Sequence, residues 1–233
     1  MIVIPMCGKS SRFFDAGYKL PKYMLELNTM TVFEWSLLSF KKYFDKEIFI
    51  IICNSNEDFI YEKVKSLNIK NFKIINLNKE TTGQASTVYE GLSKLKINDR
   101  IWIFNIDSKL LKFEIPVWID ECDGYLEVFE DNISDNWSFI SIDENNNINK
   151  VTEKERISNL CSDGLYYFSS IDLFNRFYLK SKMIRNEFYI APIYNELIKE
   201  NLKVKFNLIN KSDILFCNIP KEYESLRISN ANK

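Results

Sequence analysis

Residues 2–22 read IVIPMCGKSSRFFDAGYKLPK. Ile2 to Met6 are apolar and stop at Cys7-Gly8, the pattern of a short buried strand. A polar loop follows, Lys9-Ser10-Ser11-Arg12, then Gly17 and the Pro21 turn. Gly8 allows a tight turn that brings backbone N–H groups towards an anion. Ser10 and Ser11 add hydroxyl donors, and Arg12 adds an always-charged fork suited to phosphate oxygens. Ten residues on, Lys22 supplies a second cation as a point charge. A buried strand, a Gly/Ser turn, an Arg and a Pro-Lys together suggest a phosphate site. They do not form a Walker A loop, since no Gly-Lys-Ser/Thr opens a helix at the required spacing.

The chain beyond Lys22 alternates strand and helix. Val32, Trp35, Leu38 and Phe40 recur at roughly helical spacing between Thr31 and Phe44. EIFIIIC (47–53) is a continuous apolar run too short for a helix, as expected of a strand buried on both faces. Asp58 to Leu67 reads as a helix, Phe72 to Leu77 as a strand, Ala85 to Leu95 as a helix, and RIWIFN (100–105) as a strand. This alternation predicts an α/β fold with a parallel sheet. Ligands of such sheets sit outside the carboxyl ends of the strands. The loop after the first strand, the Gly83-Gln84 turn and Asp107 all fall at that edge.

The second half is less regular. Strands are expected over Gly124–Glu130, Ser138–Asp143 and Leu165–Phe168, with Ile148–Glu153 leading away from a polar turn at 144–147. Helices are expected over Ile171–Met183 and Tyr189–Glu200, a late strand over Val204–Leu208, and a short helix over Lys221–Arg227. One domain over residues 1–228 is the reading, with a frayed tail over 229–233.

Composition narrows the chemistry. The 233 residues carry 31 basic and 32 acidic side chains, a balance that argues against a dedicated nucleic-acid binder. There is no histidine. That excludes a Ser-His-Asp triad, a Cys-His dyad and any His-ligated metal. Carboxylates, lysine, arginine, backbone N–H groups and a hard metal ion remain. The five cysteines are dispersed and form no CxxC pair, which predicts buried free thiols and a cytoplasmic setting. No secretory signal and no apolar stretch of membrane-spanning length is visible, so no membrane partner is expected.

Asp107 ends an apolar strand, just after Asn105. A carboxylate there suits Mg2+, which takes oxygen ligands and bridges to substrate phosphates. Taken singly these residues have plain alternatives. Aspartates end many strands as turn formers. Arg12, Lys22 and the run Glu153-Lys154-Glu155-Arg156 read as solvated charges. The four tryptophans share no spacing and read as core. Tyr166 and Tyr167 alternate on a strand, so only one can face a pocket.

The segments IPMCGKSSRF and AGYKLPKYMLEL closely resemble the N-terminal signature of the sugar-phosphate nucleotidyltransferase superfamily. The similarity continues in register through FNIDS (104–108), VTEKE (151–155), SDGLYYF (162–168), NEFYIAPIYNELI (186–198) and ILFCNIPKEYESL (214–226). It spans residues 1–228. The resemblance implies a single-domain, Rossmann-like fold with a mixed, mainly parallel sheet flanked by helices. It implies a nucleotide site at Met6, Cys7, Gly8, Ser10, Ser11, Gly83, Gln84 and Asn105, with Arg12 and Lys22 as the catalytic cations. Asp107 would bind Mg2+. Glu153 would hydrogen-bond the acceptor, Lys154 would meet its phosphate, and Gly164 would let it approach the backbone. The implied reaction joins CTP, UTP or dTTP to a phosphorylated acceptor, by default a sugar 1-phosphate, and releases pyrophosphate. The product would feed a capsule or other surface polysaccharide.

Two motifs depart from the family pattern. The usual Gly-x-Gly is Gly8-Lys9-Ser10 here, and serine disfavours positive φ, so a different loop path is expected. The closing segment lacks its Gly-Thr, and Phe216 stands where many members place a second metal carboxylate. Asn218 and Asp213 are the candidate replacements. Three other readings stay open at this point. One is a cytidylyltransferase acting on phosphocholine or a phosphorylated amino acid. Another is a glycosyltransferase of related fold, although Ser108-Lys109 after Asp107 removes the expected Asp-x-Asp. The third is a non-catalytic nucleotide-binding relative.

Overall fold

The computed structural model of the chain describes residues 1–231. β1 (Ile2–Pro5) leads through the polar loop into α1 (Ser11–Asp15). A small hairpin of β2 (Glu26–Leu27) and β3 (Met30–Thr31) precedes α2 (Val32–Leu37). Thr31 caps α2: its Oγ1 accepts from Glu34 N at 3.3 Å while Glu34 Oε2 accepts from Thr31 N at 2.8 Å. The single helix expected up to Phe44 instead tightens to a 3-10 helix over Leu38–Tyr43, with Phe40 off helical geometry. Ser39 Oγ donates to Ser36 O at 2.6 Å and accepts from Leu110 N at 2.9 Å, and such side-chain bonds compete with a helical ladder.

Next come β4 (Ile48–Cys53), α3 (Glu57–Ser66), β5 (Asn71–Asn76), α4 (Gln84–Leu92) and β6 (Ile101–Phe104). β1 pairs in parallel with both β4 and β6, and β4 pairs in parallel with β5. Alternation explains why these strands are apolar throughout. Val3, Ile101 and Ile103 belong to a core packed with residues of α4 and of two later helices, while Ile2, Ile4, Trp102 and Phe104 belong to a second core containing residues of α2 and α3.

The second half supplies β7 (Ser108–Leu110), β8 (Gly124–Glu130), β9 (Ser138–Ile142), β10 (Ile148–Glu153) and β11 (Leu160–Phe168). It ends with α5 (Ile171–Tyr178), α6 (Tyr194–Lys199), β12 (Val204–Leu208), β13 (Ile214–Phe216) and α7 (Pro220–Ala231). The nine-stranded sheet runs β10-β9-β11-β6-β1-β4-β5, with β8 pairing β11 and β12. It is the expected α/β fold, a mixed sheet whose first-half strands run parallel.

β11 changes neighbours along its length. Leu160 and Cys161 pair with β9, whereas Leu165 to Phe168 pair with β6. Between them lies Gly164. β6 and β9 therefore part at that point, and the gap opens one side of the cleft described below.

Three helical expectations shift. α5 stops at Tyr178, and Arg185 and Asn186 at φ 50° and 64° make a tight turn closed by the Ile184–Glu187 bridge. The helix expected from Tyr189 begins as a 3-10 helix over Ala191–Ile193, since Pro192 lacks the N–H a longer ladder needs. α7 runs Pro220–Ala231, longer than the helix expected over Lys221–Arg227, and residues 232–233 of the tail lie outside the described residues. Among the described residues no helix is long and apolar enough to cross a membrane.

Candidate active site

A cleft of about 870 Å³ opens at the carboxyl ends of β1 and β6, a size suited to a small-molecule ligand. Every residue singled out as a site candidate, apart from Asp213, lines it. They arrive from four directions.

The first wall is the loop after β1. Met6 N donates to Ile52 O at 2.7 Å, which extends the strand by one residue. Cys7 is buried, and burial pushes its thiol up to about 12, so its contribution is backbone and packing. Ser10 adopts φ 52°, ψ 28° and accepts from Lys22 N at 3.1 Å. The expectation that serine would avoid this region is thus corrected. The left-handed turn is made at Ser10, at a strain of roughly 1–2 kcal/mol, and the bond to Lys22 N helps hold it. Gly8 lines the cleft, and a Cβ there would meet no protein atom within 4 Å. Ser11 and Arg12 open α1, are exposed and line the same wall, and among the described residues Arg12 makes no ion pair.

The floor is the end of β6. Lys22 Nζ is ion-paired with Asp107 Oδ2, both residues partly buried. Cys217 N donates to Asp107 O at 2.7 Å, so the closing segment is fastened directly to the aspartate. Gln84 Nε2 donates to Asn105 Oδ1. Two glycines make this packing possible. Gly83 sits at φ 116°, and a Cβ would lie 2.6 Å from Phe188 O. Gly164 sits at φ 95°, and a Cβ would lie 2.4 Å from Asn105 Nδ2.

The third wall is the end of β10. Glu153 Oε2 accepts from Ser138 Oγ, and Lys154 Nζ lies 3.8 Å from Glu153 Oε1. Burial raises Glu153 above the ordinary carboxylate range, against the opposing pull of the Ser138 hydroxyl and the Lys154 ammonium. Lys154 has φ 53°, donates to Tyr189 Oη at 2.7 Å and stands 4.7 Å from the Tyr189 ring centre. Tyr166 lines this wall while Tyr167 packs in the core against Trp102, as strand alternation requires.

The fourth is the closing segment. Asn218 lines the cleft, and its N donates to Glu222 Oε2 at 2.7 Å. Asp213 does not line it: its carboxylate lies 2.9 Å from Lys112 Nζ, so it is withdrawn as a metal ligand candidate. Of the metal-ligand candidates, Asp107 and Asn218 thus line the cleft, and among the described residues no three Asp, Glu or Cys converge as a metal group. This fits Mg2+, which is commonly bound by one or two carboxylates together with substrate phosphates.

Ser138, Tyr189, Asp163 and Glu222 also line the cleft and were not identified as site residues from the sequence. The signal for Glu222 was readable: Pro220 at the first helical position and an acid two residues later mark a helix start. Ser138 and Tyr189 lie in predicted elements whose facing only the tertiary structure reveals.

No protein-family model matches the chain, and no curated protein matches it. Solved structures do. A UDP-glucose pyrophosphorylase complexed with UDP-glucose aligns over 99% of this chain and 98% of its own, with 14% identity and a TM-score of 0.80. An inositol-1-phosphate CTP transferase from T. maritima aligns over 98% and 94%, with 14% identity and a TM-score of 0.74. These two likenesses place the chain in the fold class of nucleotide-sugar pyrophosphorylases. The nucleoside-diphosphate-sugar pyrophosphorylase from Vibrio cholerae RC9 is nearer: 41% identity over 98% of this chain and 100% of its own, with a TM-score of 0.92. The chain belongs to the nucleoside-diphosphate-sugar pyrophosphorylase family of the nucleotidyltransferase superfamily.

Proposed function

We propose that this protein is an Mg2+-dependent nucleotidyltransferase that joins a nucleoside triphosphate to a phosphorylated acceptor, by default a sugar 1-phosphate, and releases pyrophosphate. The observation that carries this reading is the meeting of two charge systems in one cleft: Arg12, Lys22 and Asp107 on one side, Glu153 and Lys154 on the other.

An acceptor phosphate oxygen attacks the α-phosphorus; a new P–O bond forms as the bond to the β-phosphate oxygen breaks, and pyrophosphate carries away the electron pair. The acceptor phosphate is already anionic at neutral pH, so the lack of histidine is no obstacle. What the chain must supply is in-line positioning and charge neutralisation. Ser10, Ser11 and the loop N–H groups would hold the triphosphate, and Arg12 and Lys22 would stabilise charge at the α-phosphate. The open space in front of Gly8 gives phosphate a close approach to backbone. Gln84, oriented by Asn105, would meet the base. Glu153, held by Ser138, would accept from an acceptor hydroxyl, and Lys154 would leave Tyr189 for the acceptor phosphate. Asp107 and Asn218 would hold Mg2+, which when bound neutralises part of the triphosphate charge. Lys22 now neutralises Asp107, so binding would exchange their partners.

The product would enter capsule or surface-polysaccharide synthesis, and the five buried free thiols support a cytoplasmic setting. The reading is tested by thermal shift with each of CTP, UTP and dTTP, with and without Mg2+. Stabilisation by one of them that requires the cation is expected, since a ligand at 100 times its Kd adds about 2.7 kcal/mol. No shift with any triphosphate would contradict it.

A further inference from the structure

Asp163 immediately precedes Gly164, lines the cleft and is 1% exposed. Glu127 of β8 is 3% exposed and lies within hydrogen-bonding reach of it. The β11–β8 register shifts here. Ser162 pairs with Val128 and Tyr166 with Leu126, so four steps of β11 are matched by two of β8. Asp163 Oδ1 accepts from Leu165 N at 2.8 Å, and Glu127 Oε2 accepts from Tyr125 Oη at 2.8 Å. The remaining oxygens, Asp163 Oδ2 and Glu127 Oε1, are buried and have no donor. Two carboxylates cannot bond to each other without a proton. One shared proton satisfies both orphaned oxygens at once.

Among the described residues the groups facing the pair bring no cation. They are Tyr125 from β8, Asn207 from β12 and Tyr166 from β11. Burial raises Asp163 well above the ordinary carboxylate range, with Glu127 adding to it, and burial raises Glu127 as well.

We propose that Asp163 and Glu127 share a single proton, and that this pair fixes the β11 bulge presenting Gly164 to Asn105 and Gln84, making Asp163 a positioning residue for the nucleotide end of the cleft. The route is short. Asp163 holds Leu165 N, Gly164 N donates to Ser162 Oγ at 3.2 Å, Gly164 packs on Asn105, and Asn105 orients Gln84. Loss of the shared proton leaves two buried like charges in contact, which repel and release the bulge. The inference rests on the nucleotidyltransferase reading for what the bulge serves.

Asp163→Asn separates this role from a merely structural one. Its Nδ2 can donate permanently to Glu127 Oε1 while its Oδ1 still accepts from Leu165 N. Two readouts are taken from neutral to alkaline pH on the wild type, Asp163→Asn and Asp163→Ala: triphosphate affinity by calorimetry with Mg2+, and hydrogen-exchange protection of the Leu165 amide. In the wild type, affinity falls at least about tenfold and Leu165 loses protection as the pair loses its proton. In Asp163→Asn both stay level, and in Asp163→Ala both are low throughout. An Asp163→Asn variant that follows the wild-type alkaline loss, or an Asp163→Ala variant within twofold of wild type, overturns the proposal. If the wild type binds no triphosphate at any pH, the nucleotidyltransferase reading and the role built on it fall together. The Leu165 amide still reports on proton sharing in that case: equal pH responses in wild type and Asp163→Asn refute it.

Discussion

Lys22 and Asp107 neutralise each other in the cleft, yet in the proposed reaction Lys22 would meet the α-phosphate and Asp107 the Mg2+. Their pairing is partly solvent-accessible, so it adds little to stability, on the order of 0–1 kcal/mol. Asp107→Ala should therefore melt within a few degrees of wild type while losing turnover. A circular-dichroism melt beside a pyrophosphate assay checks this, and unchanged turnover would remove Asp107 from the site. Arg12 is exposed and makes no ion pair among the described residues, so Arg12→Ala should leave the fold intact. Its kcat/KM should fall by at least about 2–3 kcal/mol of transition-state stabilisation, by analogy with loss of one preorganised donor. A rate within twofold of wild type would refute the role. At this scale the sequence was informative where site residues sit in contiguous motifs. Gly8 to Arg12 and Gly83-Gln84 could be placed at the strand-end edge from the residues themselves, whereas Glu153-Lys154 read as solvated charges and entered only through the family resemblance. Ser138, Tyr189 and Asp163 could not, because nothing local shows which face of an element meets the cleft.

Among the elements, β11 does the most to shape the site, because it exchanges β9 for β6 at Gly164. Gly164→Ala would place a methyl 2.4 Å from Asn105 Nδ2 at a φ of 95°. Both stability and triphosphate affinity should fall, the strain alone being roughly 1–2 kcal/mol. Gly8→Ala makes the contrast, since its methyl meets no protein atom within 4 Å. Its melting temperature should hold while triphosphate affinity falls, read by the same melts and by calorimetry. An equal loss of stability in both would show that Gly8 serves the fold. The central strands β1, β4 and β6 were legible because burial on both faces makes them continuous apolar runs. β7 and β13 were not: they are three residues each, and they pair Ser108–Leu110 with Ile214–Phe216 across most of the second half. The single long helix expected after Thr31 failed for a local reason: the Ser36 hydroxyl donates to Ser108 O outside the helix, and the Ser39 hydroxyl donates to Ser36 O while accepting from Leu110 N.

For the whole molecule, two cores on opposite sides of one sheet hold the loops that meet at the strand ends. The α/β class and the strand-end edge where the cleft opens followed from the alternation of elements. The gap between β6 and β9 did not, since it depends on pairing between distant strands. Stability should have an acid limb. Burial works to raise Asp131, yet the Lys211 ammonium and bonds from Ser134 N and Trp137 Nε1 hold it down from the ordinary 3.8 to about 2. A lowered carboxyl stabilises the fold above its unfolded pKa and loses that contribution as pH falls through the folded one. Urea unfolding across this acid range should show the decline. Lys211→Met should flatten it, and an unchanged slope would assign the acid limb to other groups.

Pyrophosphate release is the readout of nucleotidyl transfer itself. The protein is incubated with Mg2+ and each of CTP, UTP, dTTP, ATP and GTP. Each is set against a panel of sugar 1-phosphates, phosphocholine and phosphorylated amino acids. Pyrophosphate is expected from a defined donor and acceptor pair, and is expected to be lost in Asp107→Ala. Folded wild-type protein that releases none across the panel, or that transfers sugar from a nucleotide sugar instead, would contradict the nucleotidyltransferase reading.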